Sequence, residues 1–410
     1  MRRLVCLLFL PMLLYGCVAQ NQLWFGNRRQ NQGNQNNVVR VYIDKRGSFY
    51  PDADFSIPKK EFIKGESKCL NISTKEYNGN LKSYFLAKTT RIDSLSKHYN
   101  VNTNIPSKEQ FKAVQVKILE NLSNTIESLK QANNTNELVI LIHGYNADYP
   151  TPNYYELENY IEHFKPDKRR VFLEVYWDGL TDKGKGFSAM KIWSTAQMNS
   201  SYVANAVRKI INCIDVTTKV RLITHSLGAS VGTGALFNTT SKWTNVKEKG
   251  YYEDMMKISA PSNKDIRIGM IAPAIPGTTT FIDFNHRKDT RTNQNDTILP
   301  VNNNIKRVII GYKETDEALS KKFLKKKRYL SKKVGATSLG ANVETDGQSE
   351  IDRTKDTMIS IGYNSENLPV YEVDFKDNTY PDEHGLHFYM QNKYALDQFL
   401  DLLFDEKINP

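Results

Sequence analysis

The stretch Val220-Arg221-Leu222-Ile223-Thr224-His225-Ser226-Leu227-Gly228-Ala229 decides how the rest of the chain is read. An apolar run meets a short turn of small residues, and Ser230-Val231-Gly232-Thr233-Gly234-Ala235-Leu236 continues as a helix able to pack tightly. Strand, sharp turn and helix in that order lift a serine hydroxyl onto a strained corner, the nucleophile elbow. The usual pattern is G-x-S-x-G, and Thr224 stands where the first glycine would be. The corner is crowded there, so threonine weakens the match without abolishing it. A bare S-x-G is common by chance. The flanking chain therefore has to supply a base, an acid and an oxyanion hole.

Outward from the elbow, Leu138-Val139-Ile140-Leu141-Ile142 is a continuous apolar run suited to a strand buried on both faces of a parallel sheet. It leads directly into His143-Gly144-Tyr145-Asn146. Val171 to Trp177 is a second such strand, ending in Asp178-Gly179, and further strands are expected over 266–274, 307–311 and 370–375. Apolar residues at Phe111, Val114, Ile118, Leu122, Ile126 and Leu129 approximate a helical stripe over 108–132. Segments 159–164, 196–214 and 394–404 read as further helices. Strands alternating with helices mean an α/β fold, with a mostly parallel central sheet and helices on both faces. Upstream, Val38-Val39-Arg40-Val41-Tyr42-Ile43 starts structured sequence, and Ser83-Tyr84-Phe85-Leu86-Ala87 reads as a short β-like piece. The expectation is an N-terminal extension over 38–106 packed on a main domain over 107–410.

A chain of 410 residues with 40% hydrophobic content has room for one large domain or two medium ones. Its formal charge of +11 favours anionic partners. No zinc-ligand spacing, P-loop or RNP-like aromatic motif accompanies that charge, so nucleic acid is not expected. Met1-Arg2-Arg3 and the apolar run Leu4 to Tyr15 read as an export signal over 1–16, too short to span a bilayer. The run ends Leu13-Leu14-Tyr15-Gly16-Cys17, which resembles the lipobox of bacterial lipoproteins. Lipidation at Cys17, and an exported, membrane-anchored place in a bacterial cell envelope, are the resulting expectations. An ordinary signal peptide cut near Ala19 is the alternative. The Gln/Asn-rich stretch 17–37 cannot bury enough apolar surface to fold and reads as a disordered tether. Cys69 and Cys213 would share an oxidising compartment, but their spacing does not say whether they meet. The run Lys321 to Lys333 carries eight basic side chains. It reads as a solvated helix or as a contact with anionic lipid headgroups or polysaccharide.

The Thr-His-Ser-Leu-Gly turn, the His-Gly-Tyr-Asn turn and the strand order together resemble the α/β-hydrolase superfamily. Within it they resemble a bacterial esterase- or lipase-like branch carrying HG(Y/F)N and HS(L/M)G motifs. The resemblance covers residues 108–410. It implies a nucleophile, an acid and a base in the chain order Ser, Asp or Glu, His. A serine hydroxyl needs a histidine to take its proton, and a carboxylate to hold the imidazole tautomer. Of the histidines after Ser226, His286 precedes two further strands, whereas His384 and His387 sit between the last strand and the last helix, where such a fold places its base. His387 is favoured, because His387-Phe388-Tyr389-Met390 leads into the helix at the expected interval; His384 is the alternative. For the acid, Asp316 follows the strand Arg307 to Tyr312 and is favoured over Glu314 and Asp283. The backbone N–H of Leu227 and, by resemblance, that of Tyr145 would form the oxyanion hole. Gly144 and Gly228 would allow close backbone approach, His143 would support the loop, and His225 reads as a packing residue. Trp177-Asp178-Gly179 would lie at the catalytic edge, as substrate lining or as packing.

The function expected from these residues is that of an esterase- or lipase-type serine hydrolase. It would act on a small-molecule or lipid acyl substrate through an acyl-enzyme, with no metal or cofactor. The alternative is a surface lipoprotein that keeps the fold as a non-catalytic binding module.

Overall fold

Val39, Leu173, Ile140, Leu222, Ile268, Val308 and Val370 lie side by side in one row across seven parallel strands. The strands are β1 (Val38–Ile43), β2 (Glu137–Ile142), β3 (Val171–Trp177), β4 (Lys219–His225), β5 (Asp265–Ile271), β6 (Ile305–Tyr312) and β7 (Val370–Asp374), in the order β1-β3-β2-β4-β5-β6-β7. The computed structural model describes residues 29–58 save 34, 80–145, 147, 152–179, 187–237, 258–277 save 264, 302–320, 339–363 save 345–346 and 361, and 369–405 save 377–378 and 382.

Every residue of β3 is buried, and β2, β4 and β5 are buried but for their end residues. Successive side chains of a strand point to opposite faces, so both faces of the sheet are covered, which is why these strands read as largely apolar runs, broken by a charge at Glu174, Arg221 and Arg267. The covering elements are α1 (Leu81–Leu86), α2 (Thr89–His98), α3 (Ser107–Ala132), α4 (Pro152–Phe164), α5 (Phe187–Cys213), α6 (Gly228–Leu236), α7 (Glu317–Ser320), α8 (Glu350–Ser360), α9 (Leu386–Gln391) and α10 (Lys393–Phe404). Helix α5 packs against α3 and α6, and α9 packs against α4 and α10.

The sheet order places the site. From β2 the chain moves to β3 on the β1 side, then returns past β2 to β4 on the other side. The winding direction therefore reverses between β2 and β4, and in open α/β sheets the crevice above the carboxyl ends of such strands is where ligands bind. His143-Gly144-Tyr145 leaves β2 at that crevice, and Ser226 leaves β4 there.

Four local expectations change. The β-like piece at Ser83 is helical: Leu81, Tyr84 and Phe85 are the buried residues of α1, a helical spacing, and the Asn80 side chain caps it through Ser83 N at 3.1 Å. The end of the expected tether is packed, with buried Arg29 donating to the carbonyls of Pro51, Asp52 and Phe55 while Gln32 bridges Val39 in antiparallel fashion. The strand opening the expected extension is β1, an integral edge strand paired with β3. Helices α4 and α5 begin earlier than their apolar spacing suggests, α4 at a proline, whose missing N–H costs nothing in a first turn.

Cys213 is exposed at the end of α5. Residues 1–28 with Cys17, and also Cys69, Asn146, Asp283, His286 and the basic run 321–333, lie outside the described residues. No helix among the described residues is long and apolar enough to cross a membrane.

Candidate active site

Ser226 is buried, 2% exposed, and has a φ of 54°, in the left-handed region that disfavours any residue with a Cβ. Its surroundings hold it there. Ser226 N–H donates to Ile271 O at 3.1 Å, and its carbonyl accepts from Ala229 N–H and Ala274 N–H, both at 3.1 Å. Two glycines make the corner possible. A Cβ on Gly144 would lie 2.7 Å from Ser226 Cβ, and one on Gly228 would lie 2.5 Å from Ile142 O. Thr224 fits for a related reason. A Cβ on Gly232, in α6, would lie 2.8 Å from the Thr224 methyl, so a glycine moved into the helix makes the space that the first glycine of the usual elbow would leave. Thr224 is fully buried, and its hydroxyl finds no hydrogen-bond partner among the described residues.

His384 meets the nucleophile. Its Nε2 lies 2.8 Å from Ser226 Oγ, and its Nδ1 lies 2.7 Å from Asp316 Oδ2. An ionised carboxylate only accepts, so Nδ1 carries the proton and Nε2 is left to accept from the serine hydroxyl. Asp316 is fully buried, while the His384 side chain keeps 22% of its surface exposed, an approach path for a reacting group. Burial alone would raise the Asp316 carboxyl. The facing His384, its hydrogen bond, the Tyr389 hydroxyl and the Leu319 N–H outweigh burial and hold it below its ordinary value.

The histidine that lies against Ser226 and Asp316 is thus the alternative, His384, and not the favoured His387. Counting back from the long α10 suggests His387, but a separate short helix, α9, begins at Leu386, and Asn392 caps the start of α10 through Ala395 N at 3.1 Å. His387 is thus already in a helical first turn. It is exposed, with its ring on Phe388, and lines an open groove with Asn153, Glu156, Tyr160 and His163. Of the two candidate acids among the described residues, Asp316 is the one beside a histidine, and Glu314 is exposed.

The loop carrying His384 is gripped by its carbonyls. Buried Lys313 donates through Nζ to Tyr380 O at 3.0 Å and Glu383 O at 2.6 Å, and the Thr315 hydroxyl donates to Pro381 O. His225 Nε2 lies 2.9 Å from His384 O, which can only accept, so His225 is the neutral Nε2–H tautomer. Burial, then the facing His384, push its pKa down and keep it neutral. His225 thus packs, as expected, but it also fixes the backbone of the base.

On the other side of the elbow, His143 holds the turn after β2. Its Nδ1–H donates to Gly144 O at 2.6 Å and its Nε2 accepts from Trp177 N–H at 3.2 Å, while Trp177 Nε1–H donates to His143 O at 2.8 Å. Burial drives its pKa down to about 4, against the hydrogen bond to Gly144 O. Trp177 is fully buried and stacked on His143, a packing residue rather than a lining one. Asp178 is also buried, and a Cβ on Gly179 would lie 3.0 Å from Gly144 O. These contacts set the backbone of Tyr145, itself half-buried, beside the elbow. Leu227 opens α6, where the first N–H groups have no intrahelical acceptor and the helix dipole favours negative charge.

Among the described residues, Asp52, Asp54 and His98 are close enough to share a cation, and none of them belongs to the serine constellation. No protein-family model, curated protein or solved structure matches the chain.

Gly232→Ala is expected to destabilise the fold by about 1–2 kcal/mol, the steric conflict outweighing the gain in helix propensity. Adding Thr224→Ser, which removes the opposing methyl, is expected to restore most of that loss in denaturant melts. Additive losses would show that the two positions are not coupled.

Proposed function

We propose that the chain is a serine hydrolase of the esterase or lipase type, built on an α/β-hydrolase fold. The observation that carries this reading is the unbroken relay from Ser226 Oγ to His384 Nε2 at 2.8 Å and from His384 Nδ1 to Asp316 Oδ2 at 2.7 Å, on a serine held at positive φ. Strain of this kind costs about 1–3 kcal/mol and persists only where the surroundings over-determine it.

In this mechanism Ser226 Oγ attacks the acyl carbonyl as its proton passes to His384 Nε2. Asp316 stabilises the imidazolium that forms. The N–H groups of Leu227 and Tyr145 receive the oxyanion. His384 then gives its proton to the leaving alcohol, and water, deprotonated by the same nitrogen, releases the acid from the acyl-enzyme. No step calls for a metal or cofactor. A binding module would have no use for a buried hydroxyl and a buried carboxylate aligned through one partly exposed imidazole, so the catalytic reading is favoured over the non-catalytic one.

The same reading makes the chain an exported lipoprotein, anchored through Cys17, with the Lys321 to Lys333 run against anionic headgroups. Its acyl substrate, small molecule or lipid, would be met near that membrane. Cys17→Ser is expected to move the protein from the membrane fraction to the soluble exported fraction; unchanged membrane attachment would contradict the anchor. In a series of p-nitrophenyl esters of graded acyl length, Ser226→Ala and His384→Ala are each expected to lower kcat/KM by ~10³-fold or more. His387→Ala is expected to stay within about threefold of wild type, since the exposed ring touches none of the three reacting groups. Loss of activity with His387→Ala and its retention with His384→Ala would reverse the assignment.

A further inference from the structure

We infer that Tyr389 is a positioning residue of the triad, its hydroxyl sharing the Asp316 oxygen that holds His384 and so setting how strongly the acid grips the base. The inference rests on the hydrolase reading above. Tyr389 OH donates to Asp316 Oδ2 at 2.7 Å, and His384 Nδ1–H donates to the same oxygen at 2.7 Å. The second oxygen, Oδ1, accepts from Leu319 N–H at 3.1 Å. A buried phenol needs one acceptor, and any carbonyl would serve. Here the acceptor is a charged oxygen, which makes the bond short and strong.

Tyr389 touches neither Ser226 nor His384 through its hydroxyl, so it acts only through the carboxylate. It is 1% exposed, and its ring packs on Phe375 at 5.4 Å and edge-on to His225 at 6.5 Å, with Lys313 Nζ 4.6 Å from its centre. Burial, then the charge and hydrogen bond of Asp316, raise the phenol well above its ordinary range, so it remains a donor throughout the working pH range. The titratable and charged groups facing the pair are few among the described residues. His225 comes from the end of β4 and Lys313 and Asp316 from the segment after β6, with Tyr389 on α9. His225 stays neutral, and Lys313 is committed to the loop carbonyls.

The sign follows from charge on one oxygen. The phenol draws negative charge away from Oδ2 and weakens its attraction for the imidazolium. Without that hydroxyl, Oδ2 serves His384 alone, the imidazolium is better stabilised, and the base stays protonated to higher pH. Tyr389→Phe keeps the ring, its packing and the Lys313 contact, and removes only the donor.

The test follows the rate of labelling of the full chain by a fluorophosphonate across the acid and neutral range, together with the proton resonance of His384 Nδ1–H. In Tyr389→Phe the acid limb is expected to move up by about half a pH unit, a ~3-fold loss of rate on that limb, and the resonance to move downfield. A fluorinated tyrosine at position 389, nearly isosteric and a stronger donor, is expected to move both the other way, and it carries the test if the phenylalanine variant does not fold. An acid limb and a resonance unchanged in the folded variants would overturn the inference. If wild type neither labels nor hydrolyses any ester, the hydrolase reading falls, and the resonance alone then decides whether Tyr389 governs the Asp316–His384 bond.

Discussion

Everything at this site depends on how closely three pieces of backbone approach one another. The end of β2, the corner after β4 and the first turn of α6 meet with no room for a side chain at Gly144 or Gly228. That contact, with the bonds of the Ser226 backbone to Ile271, Ala229 and Ala274, holds the residue at positive φ with its hydroxyl against His384 Nε2. The reversal of winding between β2 and β4 opens the crevice; the two glycines let the chain close around it. Thr224 is tolerated because Gly232 gives way instead, so the steric requirement of the elbow is met from the helix rather than from the strand.

Among the described residues, four titratable side chains around this corner have partners that set their roles. Two neutral histidines, His143 and His225, brace the turn before the nucleophile and the backbone of the base. One buried cation, Lys313, ties down the loop that delivers His384, and one carboxylate, Asp316, orients its imidazole. In the proposed mechanism, uncharged bracing histidines would leave Asp316 a single imidazolium to stabilise, the one that would form as Ser226 gives up its proton. The described residues between β7 and α9 carry no regular secondary structure, so these side chains are what fix His384 in place.

The strands were legible because burial on both faces writes a largely apolar run, unbroken in Leu138 to Ile142 and interrupted in Val171 to Trp177 by buried Glu174. Ser226 was legible because it directly follows β4, and Asp316 because it comes four residues after the end of β6. What sequence hid was whatever depends on distant partners. The bond from His225 to His384 O spans 159 residues, and that from Tyr389 to Asp316 spans 73. No local pattern announces either one. His387 was preferred over His384 because the short α9 was not anticipated, and a histidine three residues away is then just as well placed by counting. The β-like reading of Ser83 to Ala87 failed in the same way, since five residues are too few for strand and helix periods to separate.

The most direct test of the central claim is the site of covalent attachment. Wild-type protein treated with a fluorophosphonate and mapped by peptide mass should carry one adduct, on Ser226, at a rate that His384→Ala abolishes and His387→Ala leaves near normal. An unmodified Ser226 peptide from folded wild-type protein, or an adduct that forms as fast without His384, would contradict the account.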